Sequence, residues 1–152
     1  MYHRAMTILE FLATLAAGLF SGASIYINLV EHPARVRCGT ALAVRQFAPS
    51  YKRATAMQAS LAGTGFLAAI AAFLLGASIL WLIGGILLGL VIPFTLLVIL
   101  PTNRRLLDPG LDRESLEASQ LLGRWGKLHA VRSALSLSAF LLFLVSLIRK
   151  FR

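Results

Sequence analysis

Nonpolar positions gather in four blocks long enough to cross a bilayer, each needing about 20 mainly apolar residues at ~1.5 Å rise. The blocks span residues 7–30, 54–75, 79–100 and 128–147. From Ala54 to Asn103 there is no Asp, Glu, Lys or Arg, and Gly76-Ala77-Ser78 is the only break between the second and third blocks. That spacing predicts a tight helical hairpin whose turn barely leaves the interface. The first block has features of a signal peptide, with Arg4 ahead of it and small residues near Ser21 to Ser24. Glu10 interrupts it, however, and apolar sequence continues to Val30, so a retained helix is expected. The expected fold class is all-α: one integral membrane four-helix bundle over residues 1–152, with short interfacial helices in its two large loops.

Between the first two blocks, Thr40 is placed to cap a short helix through Ala41, Val44 and Phe47, with Arg37 and Arg45 on its polar side and Pro49 ending it. The second large loop opens with Pro101-Thr102-Asn103 and turns at Asp108-Pro109-Gly110, and a new helix is expected from about Asp112 or Ser115. Ala118, Leu122, Trp125, His129 and Arg132 then recur at spacings of four, three, four and three, which defines one continuous helical face. Gly18 with Gly22, and Gly85 with Gly89, have the spacing that lets helices approach closely. The same glycines would serve a homo-oligomer or a larger membrane complex. Pro93 is expected to kink the third span, with Thr95 placed to satisfy freed backbone groups.

Composition agrees with a lipid-solvated chain: 58% of residues are hydrophobic and 14% charged, more apolar sequence than a soluble domain of this size can cover. The net charge is +9, and all but Arg4, Arg149, Lys150 and Arg152 of the 15 Lys and Arg fall on the side of the two large loops. The positive-inside rule therefore predicts a multi-pass protein with both loops cytoplasmic, as in a bacterial inner membrane. Nucleic acid is not an expected partner, since no recognised module or aromatic-basic interleave accompanies the charge. Anionic lipid headgroups are the expected counter-charge. Cys38 is the only cysteine, which excludes an internal disulfide and a cysteine metal cluster.

Residues costly in hydrocarbon converge on one membrane level. Tyr26, Asn28, Glu31 and His32 close the first span, where Pro33 is expected to push His32 out of helical geometry and end the helix. Tyr51, Arg53 and Gln58 open the second, Asn103 closes the third, and Trp125, His129 and Arg132 open the fourth. Alternating helix directions bring these ends together, and such a cluster is by default a candidate site. Each residue also has a plainer role: Arg53, Arg132 and Trp125 as interfacial anchors, His32 as a backbone partner. Glu10 reads as an interfacial charge on the opposite side, near Arg4 and the basic C-terminus. His32, His129 and Glu31 together offer the two-His-one-carboxylate set of a non-haem metal site, although no ligand-spacing motif supports it.

The runs Glu31-His32-Pro33-Ala34-Arg35, Pro49-Ser50-Tyr51-Lys52-Arg53-Ala54, Pro101-Thr102-Asn103 with Leu106, and Leu121-Leu122-Gly123-Arg124-Trp125 with His129 and Arg132 carry a resemblance. The chain resembles the four-helix membrane family of unknown-function domains that includes the anthrone oxygenases. The resemblance covers nearly the whole chain and keeps motif order. It implies an oxygenase that turns a hydrophobic, anthrone-type hydroxyaromatic into a quinone with O₂, and it implies no organic cofactor. At the positions of the motifs, residue chemistry suggests His129 as base with His32 as second choice, and Arg132 and Arg53 for the oxyanion. Asn103 and Tyr51 would orient the oxyanion, Asn28 is a further substrate-binding candidate, and Trp125 and Tyr26 would offer flat surface to the rings. The competing reading is a non-enzymatic accessory subunit, or a module binding quinone or lipid headgroups. A small multidrug-type transporter ranks last, because it needs an acidic residue deep in a span.

Overall fold

In a computed structural model describing residues 2–150, the chain is helical almost throughout. Four rods are long and apolar enough to cross a membrane: His3–Arg37, Thr40–Leu74, Ile79–Leu106 and Leu116–Lys150. They form a multi-pass membrane bundle, with large apolar side chains such as Phe11, Leu29, Leu67, Leu97 and Ile148 turned outward, as a lipid-facing surface requires. A 35-residue rod is roughly 50 Å long, whereas the hydrocarbon layer is about 30 Å thick, so the rods project beyond it.

The first rod comprises α1 (Tyr2–Tyr26), a π turn (Ile27–Glu31) and α2 (His32–Arg37). The second is α3 (Thr40–Leu74). The third comprises α4 (Ile79–Phe94), a second π turn (Thr95–Ile99) and α5 (Leu100–Leu106), and the fourth is α6 (Leu116–Lys150). Around the bundle α1 packs on α3 and α6, and α4 packs on the same two, so α1 and α4 face each other across one diagonal. The α3–α4 turn is tight as expected: Gly76 has φ +97°, and its N–H and that of Ala77 bond back to Phe73 and Ala72. This left-handed closure caps the last carbonyls of α3.

Two expectations about proline are corrected. Pro33 does not end the first span, and His32 keeps helical angles of φ −65° and ψ −46°. The π turn just before it absorbs the disturbance, with the His32 N–H bonding the Ile27 carbonyl five residues back. Pro101 follows the second π turn in the same way. Nor does Pro49 end a separate interfacial helix: α3 starts at Thr40 as foreseen but runs through Pro49 into the span. Packing keeps the helix going there, because Ala43, Val44 and Phe47 are buried against the other rods. The cap of α3 is Gly39, at φ +100°, rather than Thr40. At the start of α6, Ser115 Oγ accepts the Ala118 N–H at 3.1 Å, and the lead-in helix is continuous with the fourth span.

Two apolar clusters fill the interior. One, built around Phe20, Trp81, Leu88 and Phe143, occupies the half nearer the Gly76 turn. The other, built around Phe47, Ile99, Leu122 and Trp125, fills the loop-side half. Of the glycines singled out, Gly18 faces Phe140, Gly85 faces Ala69, and Gly89 faces Phe66, so they do mediate close approach. Gly22 borders open space instead. Thr95 Oγ1 donates to the Val91 carbonyl at 2.6 Å, beside Pro93.

Candidate functional site

Between the two apolar clusters lies a polar layer, and helix register determines what enters it. On α3, Tyr51, Ala54 and Gln58 succeed one another at three and four residues and share an inward face; on α6, Trp125, His129, Arg132 and Ser133 do the same. The first rod contributes Ser24 and Asn28, then Arg35 after the π turn, and the third contributes Asn103. Arg35, Tyr51, Gln58, Asn103, Trp125, His129 and Arg132 line a small cavity of about 30 Å³, while Ser24, Asn28 and Ser133 are not part of its wall. That is space for about one water-sized molecule.

The Asn28 amide fixes which nitrogen of the His129 ring is the donor. Its Nδ2 donates to the Gly126 carbonyl at 3.1 Å, so its Oδ1 is the atom 2.7 Å from His129 Nδ1 and 2.6 Å from Ser133 Oγ. A carbonyl oxygen only accepts, which makes His129 Nδ1 the N–H donor and leaves Nε2 of the neutral ring with a free lone pair. His129 is 1% exposed and lies against Trp125, with ring centroids 4.7 Å apart. The imidazole is thus fixed in position and tautomer from one side, with its basic nitrogen unbonded among the described residues.

Two guanidinium groups line the same cavity. Arg132 Nη2 donates to Gln58 Oε1 at 2.9 Å, and its guanidinium lies 5.5 Å from the centre of the Phe20 ring. Arg35 is 5% exposed, pairs with Glu31 one turn earlier, and sits 5.9 Å from the Trp125 ring. Glu31 also accepts a hydrogen bond from Ser50. One carboxylate against two guanidiniums leaves an uncompensated positive charge inside the bundle, where its field is weakly screened. Arg35 Nε, Arg132 Nε and Asn103 Oδ1 are buried without partners. Three unpaired polar atoms around one hollow mark a place for a small polar or anionic group.

Not every foreseen residue reaches this hollow. Arg53 is exposed, because two residues on from Tyr51 it points to the opposite side of α3. Tyr26 is 57% exposed and likewise faces outward, two positions from both Ser24 and Asn28. His32 is buried but lies behind Trp125, with ring centroids 5.1 Å apart, and is not part of the cavity wall. Gly126 makes room for it, since a Cβ there would fall 2.7 Å from His32 Nε2. Glu31 is turned to Arg35 and Ser50, and no group of three or more His, Cys, Asp or Glu among the described residues is placed to hold a metal ion. Asn28 proves to be the partner of His129. Glu10, expected at the interface, is 2% exposed and bonded to Lys150 Nζ at 2.5 Å, at the opposite end of the bundle. Gln58, foreseen in the polar cluster, does reach the wall, whereas Arg35, Phe47, Ser50 and Thr55 are wall residues the sequence reading did not assign to the site. The signal for Arg35 was its position four after Glu31, the spacing of a helical ion pair.

These features define a four-span membrane protein with a cationic, histidine-bearing pocket toward the loop end of the bundle. Residues 47–142, more than half of the chain, match the anthrone oxygenase family, and the chain belongs to that family. The match includes Gln58, Asn103, Trp125, His129 and Arg132, whereas Asn28 and Arg35 lie ahead of it. Nothing matches among curated proteins or solved structures.

Proposed function

We propose that this protein oxidises a membrane-dissolved hydroxyaromatic of the anthrone type with O₂, without an organic cofactor, and that His129 is the base. The observation carrying this reading is the imidazole held by Asn28 beside two guanidiniums around one cavity. His129 Nε2 takes a proton from the ring methylene, and the electron pair left behind delocalises onto the carbonyl oxygen. Arg132 and Arg35 stabilise that oxyanion, a contribution of about 3–4 kcal/mol per well-placed donor in comparable sites. The electron-rich carbon then bonds to O₂, and the resulting peroxide takes the proton back from the imidazolium. Loss of the second methylene proton breaks the O–O bond, forms the new C=O and releases hydroxide, which leaves as water. One substrate CH₂ and one O₂ thus yield one C=O and one H₂O.

A neutral His129 suits this step because its Nδ1–H is held by Asn28 and its Nε2 lone pair is free to accept a proton. Oxygen consumption on adding anthrone to the purified protein in lipid, lost in His129→Ala with the fold intact, is the expected result. Binding of the compound without oxygen uptake would instead favour a non-enzymatic binder. The excess of basic residues on the loop side supports a cytoplasmic location for the site and contact with anionic headgroups. Cys38 is exposed between α2 and α3, so a membrane-impermeant maleimide should label it only after the inner face is opened.

A further inference from the structure

The polar cavity of about 30 Å³ is far smaller than a fused-ring molecule, so the body of any such ligand must lie elsewhere. A second hollow of about 110 Å³ adjoins it, sharing Thr55, Gln58 and Arg132. This one is apolar and runs along the seam between α3 and α4, with Phe20 and Arg132 contributed from α1 and α6. Its α3 wall is Ala59 and Ala62, whose short side chains leave the space. Its wall from the third rod is Ile92 of α4 with Thr95 and Leu96 of the π turn, close to Pro93. Ala59, Ile92 and Leu96 are exposed on the outer surface of the bundle, so the hollow opens sideways at the level of the hydrocarbon. At Ile92 it meets a third, wholly apolar depression of about 340 Å³ that continues along the same seam past Phe66, Gly89 and Pro93.

We infer that this seam is a lateral binding groove through which an acidic, ring-bearing amphiphile passes from the bilayer, its oxyanion meeting Arg132 while its rings stay in the apolar trough. The inference rests on the proposed reaction for its substrate class but on its own geometry for the route. Charge complementarity selects the ligand. Among the described residues Arg132 is the one charged side chain of the groove, its Nε is buried and unpartnered, and it borders both the apolar trough and the cavity holding His129. A neutral hydrocarbon gains nothing from that group, and a small hydrophilic anion gains nothing from the trough.

The test uses para-hydroxybenzophenone, a photoreactive diaryl ketone with an acidic hydroxyl, in phosphatidylcholine nanodiscs under anaerobic conditions. Irradiation should attach it to the peptides bearing Thr55 to Ala62 and Val91 to Leu96. Labelling there should fall roughly tenfold for the para-methoxy analogue, which has no acidic proton, as expected for loss of one hydrogen bond to a charged group. Ala59→Trp, which fills the mouth, should lower it at least as much. If that variant does not insert, Ile92→Trp closes the same mouth from the other wall. Label spread evenly over the outer faces of all four rods, or indifferent to both the hydroxyl and the blocking variant, overturns the groove. Labelling needs no turnover, so a labelled groove without oxygen uptake removes the proposed reaction alone. Oxygen uptake by Ala59→Trp at unchanged kcat/KM removes the groove alone.

Discussion

Replacing Asn28 by Leu, which has the same branching but no polar group, separates the orienting role of the amide from its share in stability. Asn28 serves three groups: His129 Nδ1 at 2.7 Å, Ser133 Oγ at 2.6 Å and the Gly126 carbonyl at 3.1 Å. Ser133 keeps a second acceptor in the His129 carbonyl at 3.3 Å, and Gly126 lies in the interior of α6, where the helix ladder still supplies a donor. Only the His129 N–H is orphaned, which should cost about 1–3 kcal/mol of stability. The effect on turnover should be larger, because the imidazole can then carry its proton on either nitrogen and is free to rotate. A loss of about 10²–10⁴ in rate, the usual worth of a positioned base, is expected. Ser133→Ala is the control: it removes the other donor to Asn28 Oδ1, leaves the His129 bond in place and should change the rate by only a few-fold. Rates are read from oxygen uptake with anthrone, and the tautomer directly from nitrogen NMR of histidine-labelled protein. A wild-type spectrum with the proton on Nε2, or an Asn28→Leu variant as fast as wild type, refutes the argument.

Four further outcomes follow from the geometry. Arg132→Leu should lower turnover about 10²–10³-fold while the bundle stays assembled, measured by oxygen uptake beside a thermal melt in detergent. Lys150→Ala strands the buried carboxylate of Glu10 and should cost about 3–5 kcal/mol without altering KM, since the pair lies at the far end from the cavity. Gly84→Ala puts a Cβ 2.5 Å from the ring of Phe143, which stacks on Trp81 and cannot retreat, so a melt should show a loss of about 1–3 kcal/mol; Gly22→Ala, with open space around it, should be neutral or better. Asp108 is held below the ordinary carboxylate range by the Gly110 N–H and then by Arg105, so the turn it closes contributes stability at neutral pH. That contribution is lost as pH falls through the depressed value, and an NMR titration of Asp108 showing an ordinary or raised midpoint would contradict it.

The architecture was legible in the sequence because a bilayer leaves few ways to satisfy a backbone, and four apolar blocks with a three-residue break allow little beyond an antiparallel bundle. His129, Arg132 and Trp125 were legible for a related reason, since their spacing fixes a common helix face. Arg53 and Tyr26 were misplaced because nearness to a helix end was taken for orientation, and a shift of two residues turns a side chain to the other side. Pro33 and Pro49 misled because a proline removes one hydrogen bond locally, whereas helix continuation is decided by packing distant in sequence. His32 shows the same limit: only the absence of a side chain at Gly126, across the bundle, admits its ring behind Trp125 and so keeps it from the cavity wall.

The two π turns each add one residue to a helix without breaking it, and both stand two positions ahead of a proline at the same face of the bundle. One inserted residue amounts to about 100° of rotation. The membrane-crossing and loop-side parts of those two rods are therefore phased independently, so that drift in the lipid-facing stripe need not swing Arg35 or Asn103. Deleting a single residue such as Leu29 or Leu97 would shorten the rod by a negligible length, yet turn one wall of the pocket away from the other three.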